Sequence, residues 1–152
     1  LFELDENYNP SPQLAESDEV DEDYKKWVFH LRQGVLFHDG KEMTADDVVA
    51  SMNRWIQYNS SLSSIIKHDE KFYAVDDYTV EIDLEEPGYL LLNLMTAPAR
   101  YPYITTVEAI EKADPETGAL TEYVGTGPCK FVEWVQDSYI KYERYADYKG
   151  PG

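Results

Sequence analysis

Apolar and polar side chains alternate over residues 24–32: Trp27, Phe29 and Leu31 fall on one side, Lys26, Val28 and His30 on the other. A period of two over this length predicts a strand with one buried face. Gly34 ends it, Val35–His38 reads as a second short strand or turn, and Asp39-Gly40 is a tight-turn dipeptide. The period then changes. From Thr44 to about Tyr58, the apolar residues Val48, Val49, Met52, Trp55 and Ile56 recur at helical spacing, with Arg54 and Gln57 towards the other side. Thr44 is a natural N-cap, and Asp47 stands three residues later at capping-box spacing. Asp46 and Asp47 also fall in the first turn, where the helix dipole favours negative charge.

Alternation returns further along. Lys71–Val75 predicts a strand, Asp76-Asp77 a turn, and Thr79–Glu85 a strand with Val80, Ile82 and Leu84 on its apolar face. Pro87-Gly88 closes it. Tyr89–Thr96 reads as a short buried helix, Pro98–Pro102 as a loop, Thr106–Ala113 as another short helix and Asp114–Gly118 as loop. Cys129–Val135 and Ser138–Arg144 read as paired strands joined at Gln136-Asp137. Ser60–Ser64 is loop-like, with a helical turn at Leu62–Lys67. The first 23 residues, punctuated by Pro10 and Pro12, read as extended chain with short turns and one strand near Leu1–Leu4. The fold class is therefore α/β, with a mixed, largely antiparallel sheet and helices packed on it. Trp27, Phe29, Val48, Met52, Val80, Ile82 and Leu84 are the predicted core.

Composition narrows the function. Hydrophobic residues make up 43% and aromatics 14% of 152 residues, enough for one ordinary core. No stretch approaches the roughly 18–20 apolar residues that span a bilayer. Residues 1–23 have neither a basic nor an apolar leader region, so the targeting segment of an exported parent is expected upstream of Leu1. The net charge is −17, and nine acidic side chains with no basic one lie in the first 23 residues. Such a surface repels phosphate backbones, which argues against nucleic acid as a partner, and it lacks the polybasic patch that docks on anionic membranes. Cys129 is the single cysteine, which excludes an intrachain disulfide framework and a cysteine-based zinc site.

The candidate chemistry is sparse. His38-Asp39 has no second histidine at metal-ligand spacing, so a structural role is expected of it; no metal and no cofactor is expected. The acidic pairs Asp46/Asp47, Asp76/Asp77 and Glu85/Glu86 could in principle host acid–base chemistry, but adjacent carboxylates in caps and turns are normally solvated, and no catalytic residue is assigned. Gly125-Thr126-Gly127 lacks the Lys-Ser/Thr of a phosphate loop; the glycines are expected to allow close backbone approach or unusual dihedrals before a strand. Thirteen tyrosines offer area with a polar handle. Arg100 lies in the Pro-flanked loop Pro98-Ala99-Arg100-Tyr101-Pro102, which can present a guanidinium to an anionic group.

Five stretches, in order, carry a resemblance: Leu1-Phe2-Glu3 through Leu14-Ala15-Glu16-Ser17; Trp27 to Gly40; Met43-Thr44-Ala45-Asp46-Asp47-Val48-Val49 with Ser51 and Arg54; Val75 to Val80 ending in Glu86-Pro87; and Gly125-Thr126-Gly127-Pro128-Cys129-Lys130-Phe131 running on to Tyr148. Together they resemble the peptide/nickel class of bacterial solute-binding proteins, the oligopeptide- and dipeptide-binding family. The resemblance implies a fragment of a longer two-lobe protein, with residues 1–122 mainly the smaller subdomain of the first lobe, residues 123–148 strands re-entering its main body, and the second lobe absent. It implies the substrate-binding component of an ABC importer, located outside the cytoplasmic membrane in the periplasm or as a surface lipoprotein. Its partners would be a peptide or similar small solute and a membrane permease, and the Arg100–Tyr101 loop would border the cleft. Cys129 and Lys149 depart from the family's usual tyrosine and tryptophan. Two other classes stay open at this point: a hydrolase using paired carboxylates, and a stand-alone interaction domain sharing the fold.

Overall fold

The alternating segment 24–32 becomes an inner strand of a four-stranded sheet. The computed structural model describes residues 1–148 apart from 61, 63, 64, 68, 99 and 100. Two short strands open the chain, β1 (Phe2–Leu4) and β2 (Pro10–Pro12), paired antiparallel. The main sheet holds β3 (Ala15–Val20), β4 (Lys26–Leu31), β5 (Tyr73–Asp76) and β6 (Thr79–Asp83) in the order β3-β4-β6-β5. The helices are α1 (Ala45–Tyr58), α2 (Leu91–Met95) and α3 (Val107–Glu111). A hairpin of β7 (Cys129–Val135) and β8 (Tyr139–Arg144) closes the described chain. Every strand pairing among the described residues is antiparallel.

Trp27 and Phe29 of β4 stand opposite Ile82 and Val80 of β6, and all four are buried with Leu31 and Leu84. Val48, Met52 and Trp55 on one side of α1 join the same core, with Phe37, Met43 and Phe72 filling between. Phe29 is at its centre, with the rings of Phe2, Trp27 and Phe72 between 5.9 and 6.3 Å away. Apolar area on this scale is the main force holding the unit together. The opposite side of the sheet is polar: Lys26 pairs with Glu81 at 2.7 Å, and the Tyr73 hydroxyl donates to Asp83 and Glu81. Those bonds raise the Tyr73 phenol well above its usual range.

Three local features differ from the sequence reading. The first 23 residues hold three strands rather than one. β2 carries two prolines, which a strand tolerates only at an edge. β3 is an edge strand in which three of six residues are acidic, so no apolar alternation announces it. Asp18 sits opposite Phe29 and hence on the core side, where burial raises its carboxyl above the usual range. An inward-pointing acid on an edge strand discourages pairing with another chain. The second difference is Asp47, completely buried rather than solvated. The third is the glycine pair: neither Gly125 nor Gly127 has a positive φ, a Cβ on Gly125 would meet the His38 ring at an ordinary 3.6 Å, and one on Gly127 would meet nothing within 4 Å. Gly40, by contrast, has φ of 90°, as the Asp39-Gly40 turn requires.

Candidate functional site

The segment after α3 returns to the sheet and is fastened there before the hairpin starts. The Thr105 hydroxyl donates to the Val124 carbonyl at 2.7 Å, and the His38 amide donates to the Gly125 carbonyl at 2.9 Å. The His38 ring adds two more bonds: Nε2 to the Gly127 carbonyl at 2.9 Å and Nδ1 from the Gly125 amide at 3.3 Å. From the other end of the hairpin, the Tyr145 hydroxyl donates to the Phe37 carbonyl at 2.7 Å.

Between this linker and the sheet lies a concavity of about 740 Å³, which is the size of a small-molecule or short-peptide site. Leu14 and Arg32 form one wall, Tyr101 and Tyr103 a second, and the linker with Tyr142 a third. Arg32 is committed through Nε to the Gln13 carbonyl at 2.5 Å. The rings of Tyr101 and Tyr103 stand 4.8 Å apart, and the bond to Tyr103 holds the Tyr101 phenol above its usual range. The same two tyrosines also line a smaller concavity of about 430 Å³ on their far side. There Arg54 lies over the Tyr58 ring at 4.6 Å and donates to the Gly118 carbonyl at 2.6 Å. Tyr101 and Tyr103 thus form a partition between two hollows.

Of the two site residues expected from the sequence, Tyr101 lines this cavity with a partly exposed ring. Arg100 lies outside the described residues, as does Lys149. The acidic pairs do not converge on any acid–base arrangement. Asp76 accepts from the Tyr78 amide, which lowers its carboxyl below the usual range, and Glu85 is bound to Lys67. Asp46, Asp77 and Glu86 are exposed, and Asp47 is used in helix capping. Among the described residues no group of three His, Cys, Asp or Glu side chains could hold a metal, and no helix is long and apolar enough to cross a membrane. Tyr103 and Tyr142 are cavity residues that sequence reasoning did not single out, and His38 was weighed only as part of the His38-Asp39 dipeptide; its ring partners, Gly125 and Gly127, are distant in the chain and no local spacing marks them.

The hairpin is the other unusual surface. Trp134 stands opposite Ile140, and Val135 opposite Tyr139, so consecutive pairs place apolar side chains on both faces. All four are exposed. Cys129, at the start of β7, is exposed as well.

The sequence matches the model of the family described as bacterial extracellular solute-binding proteins, family 5 middle, over residues 9–152. It is 32% identical to the glutathione-binding protein GsiB of Escherichia coli (strain K12), over 100% of this chain and 29% of that protein. The fold matches the solved structure of AgaA from A. tumefaciens R10, in complex with agropinic acid, at a TM-score of 0.79 and 31% identity, over 97% of this chain and 30% of that one. It also matches the oligopeptide-binding protein AppA of Bacillus subtilis, in complex with a nonapeptide, at a TM-score of 0.79 and 28% identity, over 97% and 30%. The chain thus spans less than a third of the length of these relatives.

Proposed function

The chain belongs to family 5 of the bacterial extracellular solute-binding proteins, and on that premise we propose that it is part of the first lobe of an ABC importer's solute-binding component. That component captures a peptide or similar small solute outside the cytoplasmic membrane, in the periplasm or as a surface lipoprotein, and delivers it to a membrane permease. The family match across residues 9–152 carries the reading. The tyrosine-walled concavity supports it, because phenols supply contact area and hydrogen bonds without committing to one side-chain chemistry. The named ligands of the relatives, glutathione, agropinic acid and a nonapeptide, share carboxylate and amide groups and little else. Capture works through tighter binding to the closed arrangement of two lobes, with no bond made or broken. The hydrolase alternative is not favoured: the family match is to solute-binding proteins, and the acidic pairs named from the sequence are spent on capping, a turn and an ion pair.

Within this proposal, residues 1–122 are mainly the smaller subdomain of the first lobe, and 123–148 re-enter its main body. The support is the hairpin. A two-stranded sheet with apolar residues on both faces is marginal alone and needs a layer on each side. In the isolated 152-residue chain, Ile140→Thr is expected to change unfolding free energy by no more than about 0.5 kcal/mol, as at other exposed sites. In the intact parent protein the same change costs about 1.5–2 kcal/mol, because a buried methyl is lost and a hydroxyl is buried. Equal effects in both settings would rule out the covered hairpin.

The functional test is calorimetric titration of the intact protein with a panel of glutathione, mixed di- to nonapeptides and an opine acid. Saturable one-to-one binding of one class is expected. Heats of dilution alone across the panel would remove the peptide-type reading.

A further inference from the structure

Three bonds from one residue cross between the sheet subdomain and the linker that leads into the hairpin. His38 lies in the turn after Val35, yet its amide and both ring nitrogens engage Gly125 and Gly127, up to 89 positions later in sequence. The bonding fixes the tautomer. A carbonyl can only accept, so Nε2 carries the proton facing Gly127; the Gly125 amide can only donate, so Nδ1 carries none. The ring is further held edge-on against Tyr145 at 5.2 Å, and Tyr145 is itself tied to Phe37 and, through its amide, to Pro128. His38 and the Gly125–Gly127 backbone both line the larger concavity.

We propose that His38, as the Nε2-protonated tautomer, is a positioning residue that sets the angle between the hairpin and the four-stranded sheet. It thereby holds two walls of the ligand concavity in place before ligand enters. The inference rests on the binding reading above for its consequence, although the clip itself does not. A wall that is already ordered costs nothing to order on binding, so loosening it lowers affinity without removing a ligand contact.

The test uses the intact protein and three variants. His38→Asn keeps an acceptor where Nδ1 stood, His38→Gln keeps a donor where Nε2 stood, and His38→Phe keeps the ring but neither bond. Nitrogen NMR of the imidazole, with the His38 signal assigned by its loss in His38→Asn, is expected to report a proton on Nε2 alone; a proton on Nδ1 overturns the proposal whether or not any variant folds. Amide exchange at Gly125 is expected to stay near wild type in His38→Asn and to accelerate about tenfold or more in His38→Phe. Unchanged exchange in His38→Phe overturns the clip. Affinity for whichever solute the intact protein binds is expected to fall about tenfold in His38→Phe and to recover in part in His38→Asn. Undiminished affinity in a His38→Phe protein whose Gly125 exchanges freely would overturn the positioning role. The tautomer and exchange measurements need no ligand, so a protein that binds no peptide leaves them decisive while removing the proposed function separately.

Discussion

Asp47→Ala is expected to lower the unfolding free energy by about 3 kcal/mol, a large effect for one surface-element residue. Asp47 is the third residue of α1, yet its side chain has no exposed area. One carboxylate oxygen accepts from the Thr44 amide at 3.1 Å and hydroxyl at 3.2 Å, closing the start of α1. The other accepts from the Val107 amide at 3.0 Å, at the start of α3, and from the Lys41 ammonium at 2.9 Å. A single buried group therefore ties the entry of two helices and the turn before them. Alanine leaves two backbone N–H groups without acceptors, at about 1–3 kcal/mol each, and removes the cap. Lys41 moderates the loss: it is partly exposed and keeps Glu108 at 3.0 Å, so no buried charge is stranded. Asparagine keeps one oxygen, satisfies one set of donors and turns an NH₂ towards the other, so it should cost about half as much. Urea unfolding of the three proteins decides this, with exchange at the Val107 amide as the local readout. A value for Asp47→Ala within about 0.5 kcal/mol of wild type would show that Asp47 merely fills space.

Asp47 also marks where sequence reading stops. The helix start was legible, because Thr44 and Asp47 sit at cap spacing and the apolar face of Val48, Met52 and Trp55 begins at once. That the carboxylate is buried was not legible, since Val107 is 60 positions away and nothing local pairs them. The same division runs through the fold. β4 and β6 were legible because each buries one side and wets the other. β3 was not, because an edge strand protected by charge has the composition of a loop. For the site, Pro98–Pro102 was read as a loop carrying Arg100 and Tyr101; Tyr101 lines the cavity, and Arg100 lies outside the described residues. His38 was read as part of a turn, which holds for its backbone, but its ring serves glycines more than eighty positions on. Long-range polar pairs leave no period in a sequence, whereas burial does.

The isolated 152-residue chain is expected to bind peptides at least a hundredfold, and about a thousandfold, more weakly than the intact parent protein. The concavity is open to solvent, and its tyrosine wall covers only part of any ligand placed there. A two-lobe binder buries its ligand between surfaces that each supply part of the contacts. Removing the rest of the protein removes many contacts but little of the entropy cost of immobilising the ligand. A micromolar complex corresponds to roughly 8 kcal/mol, and losing about half of it leaves a millimolar interaction. Calorimetry on both proteins with the same ligand panel reads the difference directly. In the intact protein, Arg100→Ala should weaken anionic ligands by about tenfold while sparing neutral ones, given that its neighbour Tyr101 faces the cavity. Tight, saturable binding by the 152-residue chain alone would place the whole site within these residues, and the two-lobe account would have to be given up.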